Sequence, residues 1–256
     1  MLEIAGDILN WAAAGVMFPL LFLPLALLFT EKRPFLSWVA IVAATVLAGV
    51  LFVRLTPILA LMPATTKIAW FGALFALTAS IIAMIGSKKA TWYLSGFFEV
   101  IARVAGRAVI WLLLAMALIQ FGVVILRYAF GLNYIFMQES ITYMHGAVFL
   151  LAGGYALLTD DHVRVDIFYR EASPRRKAIV DLLGTYLLLI PVCLLLIWTA
   201  SPYVARSWAV GEGSNESSGI QALFILKSFI PAFAVLLLMA GFVIAARAVA
   251  TLKERG

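Results

Sequence analysis

The sequence predicts an all-α integral membrane protein with about seven transmembrane helices and one further helix lying in the membrane interface. Two features of composition and one pattern predict it. Of the 256 residues, 64% are hydrophobic and 12% are charged, where a soluble domain carries about 25% charged residues. Mean hydropathy is +1.06. The apolar residues also gather into runs close to the roughly 20 residues that cross about 30 Å of hydrocarbon.

The runs fall at residues 8–29, 35–53, 68–86, 104–126, 140–158, 178–205 and 222–246, with Gly, Pro or charge in every gap. The first begins behind the acidic Glu3 and Asp7 with no basic start and no small-residue cleavage signal, so a removable signal peptide is not expected. Residues 91–102 carry Trp92, Tyr93, Phe97 and Phe98 beside Lys88, Lys89, Glu99 and Arg103. That mixture suits an interfacial helix, and equally the first turns of the fourth span. The basic linker at 87–90 divides the chain into a three-span part, 1–90, and a four-span part, 91–256, with longer and more polar connections.

Short cytoplasmic loops carry the excess of Lys and Arg. The loops after spans one, three and five, with the carboxyl end, hold fourteen of the 19 basic residues. The other side holds Arg54, Lys67, Arg127 and Arg206, and Lys227 lies just inside the last run. The amino terminus is therefore expected outside, and the carboxyl terminus and the loop from His162 to Lys177 inside. The net charge of +6 follows from this flanking pattern, so no nucleic-acid partner is implied.

Chemistry-bearing motifs are scarce. The single cysteine, Cys193, sits in an apolar run and permits no intrachain disulfide. The two histidines, His145 and His162, are too few for a two-haem cytochrome, and Arg164 among Asp160, Asp161 and Asp166 argues against a cation loop. His145, a turn into span five, is expected to make an interhelical hydrogen bond. No Gly-x-Ser-x-Gly, His-Glu-x-x-His or phosphate loop occurs. No catalytic residue, metal site or cofactor is expected. Arg107, Arg127, Glu139, Asp181, Arg206, Lys227 and Arg247 lie within about two turns of a span end, where long side chains reach the interface. Glu139 and Asp181 are short, so pairing with Arg or a backbone donor is expected. Pro191 is the one proline near mid-span in the four-span part, which gives little sign of the broken helices that hold substrate in secondary transporters.

Arg127-Tyr128 closing one span, Gln138-Glu139 opening the next, and Asp161-His162-Val163-Arg164-Val165-Asp166-Ile167-Phe168-Tyr169 with Ser173-Pro174-Arg175-Arg176 and Asp181 carry a resemblance. Trp208, Gly211-Glu212-Gly213-Ser214, Gly219 and Lys227 with Pro231 extend it. Over about residues 97–253 the chain resembles the small membrane subunit of tripartite ATP-independent periplasmic (TRAP) transporters. The first 90 residues have no counterpart in the usual four-span form. The resemblance implies a bacterial inner-membrane subunit, a static brace for a large membrane subunit where substrate and sodium sites reside. It also implies a periplasmic binding protein that delivers an organic acid.

Two surfaces are expected to serve that role. Trp208, Glu212 and Glu216 on the outer loop form a docking surface for the binding protein, unless Glu212 caps a helix or pairs with Arg206. Arg164, Arg170, Arg175, Arg176 and Lys177 form a face for membrane phospholipid headgroups, unless they express ordinary inside-positive topology alone. Arg127, Glu139, His162, Asp166, Asp181 and Lys227 are further candidates for a subunit or lipid interface. A self-sufficient transporter and a membrane anchor for an enzyme complex remain alternatives.

Overall fold

The computed structural model describes residues 21, 23–29, 88–162 and 169–254. The expected spans at 35–53 and 68–86, and most of the one at 8–29, lie outside these residues. So do Arg164 and Asp166. Two compact units divide the chain, Met1–Leu94 with Leu252–Gly256, and Ser95–Thr251. In the first, α1 (Leu23–Phe29) is a single short apolar helix whose Leu23 and Leu27 are buried.

Four long apolar helical stretches run through the rest of the described chain: Thr91–Phe130, Ile135–Thr159, Pro174–Ala209 and Leu223–Glu254. Each is long and apolar enough to span a bilayer, and no strand occurs among the described residues. The described residues thus establish an all-helical membrane protein with four candidate spans, and the count of seven rests on the sequence alone.

The first of them, α2 (Lys88–Phe130), is one unbroken helix of 43 residues, about 65 Å at 1.5 Å per residue. Residues 91–102 are therefore its first turns and not a separate interfacial helix. Nothing in that stretch stops a helix: there is no proline, and Gly96 alone is too weak a break. The helix ends where Gly131 adopts φ +66° and the Leu132 N–H reaches the Leu126 carbonyl at 2.9 Å, a glycine-dependent helix stop. A four-residue turn leads straight into α3 (Ile135–Thr159), so α2 and α3 are antiparallel neighbours. Asp160, at φ 63°, closes α3, a left-handed position that aspartate tolerates better than most side chains.

Pro174 opens α4 (Pro174–Leu183), and the Ser173 hydroxyl accepts the Arg176 N–H. A π-helical turn, Gly184–Leu189, joins it to α5 (Ile190–Ala209). The turn immediately precedes Pro191, whose ring crowds the carbonyl four residues earlier, and the widened turn accommodates it without ending the helix. What the sequence offers as a single mid-span proline is thus a π-turn.

The last helix, α6 (Leu223–Glu254), carries the core of the second unit, with Ala234, Leu236, Leu238, Ala240, Phe242, Val243 and Ala245 all buried. Glycines let its neighbours approach. A Cβ on Gly154 of α3 would come within 2.8 Å of the Leu236 carbonyl oxygen, and one on Gly241 of α6 would meet Leu189. Phe98 of α2 packs edge-on against Phe242 at 5.2 Å between centroids. With no hydrophobic force between helices in lipid, such close packing is what holds them together.

Candidate functional site

Polar side chains cluster at the two ends of the second unit and leave its middle uncharged. No Asp, Glu, Lys or Arg occurs at 108–126, 140–159, 182–205 or 228–246. At one end the connection between α5 and α6 folds back over the start of α3. Glu139, one turn into α3, anchors it: its carboxylate accepts the Ser214 hydroxyl and, at 2.6 Å, the Ile220 N–H. Ser214 N–H donates to the Ile220 carbonyl at 3.1 Å, and Gly219 N–H to the Glu216 carbonyl at 3.0 Å. The Glu216 N–H reaches the Ser214 hydroxyl at 3.1 Å. Gly219 is required by space, since a Cβ there would lie 2.7 Å from the Glu139 carboxylate.

Glu212 forms an ion pair with Lys227 in the first turns of α6, whose ammonium also stands 4.1 Å from the Tyr203 ring centroid. The hydrogen bond from Lys227 holds the Glu212 carboxyl below its ordinary value of 4.5. The Glu212 carbonyl accepts the Phe224 N–H at 3.3 Å, capping α6 through its backbone. Its sequence-predicted alternative partner, Arg206, is replaced by Lys227, because Lys227 rises from α6 directly beneath the loop while Arg206 is exposed on α5. Trp208 donates its indole N–H to Ser228 at 2.8 Å and sets its ring edge-on to Phe224, while remaining 56% exposed. Glu216 is exposed. Of the three residues expected on a docking surface, two are thus engaged in holding the loop and one projects from it.

At the other end, the Tyr169 hydroxyl donates to both oxygens of Asp181, at 2.9 and 3.1 Å. A tyrosine therefore takes the place of the Arg or backbone donor expected for Asp181. The Lys177 ammonium lies 5.2 Å from the Tyr169 ring centroid. Arg175 and Arg176 are exposed beside it in the first turn of α4. Glu99 of α2 joins Arg103 on its own helix and Arg247 of α6, the latter at 2.9 Å. His162 and Arg127 are exposed at opposite ends, His162 after α3 and Arg127 in the last turn of α2. Sequence reasoning missed Ser228 and Tyr203, whose only signal was a hydroxyl near a span end, and gave no partner to Tyr169 and Ser214, which it met only as parts of motifs.

Gln120 of α2 and His145 of α3 stand exposed within the uncharged stretches of their helices. Neither has a hydrogen-bond partner among the described residues, so the interhelical bond expected of His145 is not made within them.

Long helices with uncharged middles, packed through glycine and alanine and joined by hydrogen-bonded polar loops, define a multi-pass membrane protein. Residues 116–253, more than half of the chain, match the family model described as tripartite ATP-independent periplasmic transporters, DctQ component. The chain belongs to that family, the small permease component of TRAP transporters, which is a transporter family and not an enzyme family. No curated protein and no solved structure matches it.

Proposed function

We propose that this chain is a static brace in the bacterial inner membrane, set against a large TRAP permease subunit that moves substrate. One observation carries this reading: the middle of every described span is free of charge. A carrier of ions or organic acids gathers several ionisable or broken-helix sites at membrane depth, whereas the described spans offer there one π-turn, His145 and otherwise packed apolar area. Membership of a tripartite family supports a periplasmic substrate-binding protein as the third component, and sodium-coupled uptake of an organic acid as the shared task. Residues 1–90 add a three-span extension to the four-span part at 91–256. The fourteen-to-four bias of Lys and Arg supports a periplasmic amino terminus and 206–221 loop, with 159–177 and the carboxyl terminus in the cytoplasm.

On this reading the anchored outer loop presents Glu216 to the binding protein, with Trp208 seated at the interface beside it. Glu212 serves there chiefly by holding the loop's shape. Opposite charges across such a contact set orientation and encounter rate more than affinity. The test is uptake by proteoliposomes holding both membrane subunits and supplied with the binding protein. Glu216→Lys should slow uptake, more at low salt than at high, while the subunits still co-purify. Uptake and salt dependence equal to the parent's would remove this loop from the docking surface. Uptake by this chain alone would end the brace reading.

A further inference from the structure

Gln120 and His145 occupy matched positions on the α2–α3 hairpin, ten residues before Phe130 and ten after Ile135. At 1.5 Å per residue each lies about 10 Å inside the charged Arg127 and Glu139 that bound the two uncharged stretches, and so within the hydrocarbon of a bilayer. Together with Met116, Ala117, Ile141 and Thr142 they line a groove of about 380 Å³ on the outside of the hairpin. Gln120, His145, Ala117 and Thr142 are all exposed, and no described residue hydrogen-bonds the Gln120, Thr142 or His145 side chains. An acyl chain offers such groups nothing, whereas a helix carrying a donor or acceptor satisfies them. The spacings Met116/Gln120 and Ile141/His145 are one helical turn on each wall, and the small Ala117 and Thr142 leave room for a backbone to come close.

We propose that this groove seats a transmembrane helix of the large permease subunit, which presents a hydrogen-bonding side chain to Gln120 and His145 within the bilayer. The inference rests on the brace reading above and adds its contact surface. The occupant is assigned to the large subunit because the whole groove lies inside residues 116–253, the part shared with the family. The exposed aromatic flank from Trp92 to Trp111 lies outside that part.

The test uses the full chain co-expressed with its cognate large subunit. A photoreactive p-benzoyl-phenylalanine replaces Ala117 or Thr142 and, as a comparison, the exposed Trp198 of α5. Adducts to the large subunit from the two groove positions and not from 198 are expected. In lipid nanodiscs, Gln120→Leu with His145→Leu should weaken the pair roughly tenfold without lowering the thermal stability of the isolated subunit. Lower stability of the isolated subunit with unchanged pairing would make the two side chains structural and overturn the proposal. Should the subunits co-purify while the groove probes label only a second copy, residues 1–87 of the same chain, or nothing, the groove assignment falls and the brace reading stands. If the parent chains fail to co-purify, both fall.

Discussion

Glu139 shows how one side chain can shape a whole loop. It is the acceptor for two donors from a segment more than 70 positions away in the chain, the Ser214 hydroxyl and the Ile220 N–H. Replacing it with Leu strands both donors, and hydrogen exchange at the Ile220 amide should accelerate by about an order of magnitude. Unchanged exchange would show that the loop keeps its form without this anchor. Glu212 adds a pH dependence. Its carboxyl sits below 4.5 when folded, because Lys227 hydrogen-bonds the charged form. The unfolded chain therefore takes up this proton first, so the contribution is complete above about 4.5 and lost as pH falls through the lower folded value. Exchange at the Phe224 amide, corrected for its intrinsic rate, should rise on going from pH about 6 to about 3.5. In Glu212→Gln that rise should vanish.

Among the helices, packing depends on where each glycine points. A Cβ at Gly154 would strike the backbone of α6, which cannot yield as a side chain can. Gly154→Val should therefore destabilise by about 1–3 kcal/mol, seen as a lower midpoint in thermal unfolding. At Gly184 nothing lies within 4 Å of the added carbon, so Gly184→Ala should be neutral or slightly stabilising. Equal effects would mean that close approach of α3 and α6 is not what limits stability. The first turn of α4 carries Arg175, Arg176 and Lys177 with no acid among them, although a helix amino terminus favours anions. Anionic lipid headgroups would relieve that arrangement at about 1 kcal/mol for each basic residue. Changing all three to Gln should strip bound anionic phospholipid in native mass spectrometry, and unchanged occupancy would leave the cluster to ordinary membrane topology.

Across the whole molecule the connections differ in their Lys and Arg content. The 210–222 connection carries no Lys or Arg, whereas the 160–173 connection carries Arg164 and Arg170 and is followed at once by Arg175, Arg176 and Lys177. That asymmetry sets the expected orientation. With Cys193 replaced by Ser, a Ser217→Cys chain should react with an impermeant maleimide in intact cells, and a Glu171→Cys chain should not. Both positions are exposed, and neither side chain caps a helix as that of Ser173 does. The opposite labelling would invert the topology and move the proposed docking loop to the cytoplasm.

Composition and run length were sufficient to show a helical membrane protein and to place one apolar run on each of the four helical stretches of 91–256, although the first stretch begins thirteen residues before its run and the last ends eight after it. These properties depend on transfer of side chains from water to lipid, which each segment expresses by itself. Only tertiary structure could make the first turns of α2 continuous with its span, or give Glu139 to Ser214 and Asp181 to Tyr169. It also decided that Glu212 meets Lys227 and not Arg206. Hydrogen bonds at span ends are short and directional, so a partner is chosen by which helix termini the fold brings together, and neighbours in sequence carry no record of that. The same holds for Gln120 and His145: their polarity was legible, but their exposure on one groove at one depth follows from the α2–α3 turn.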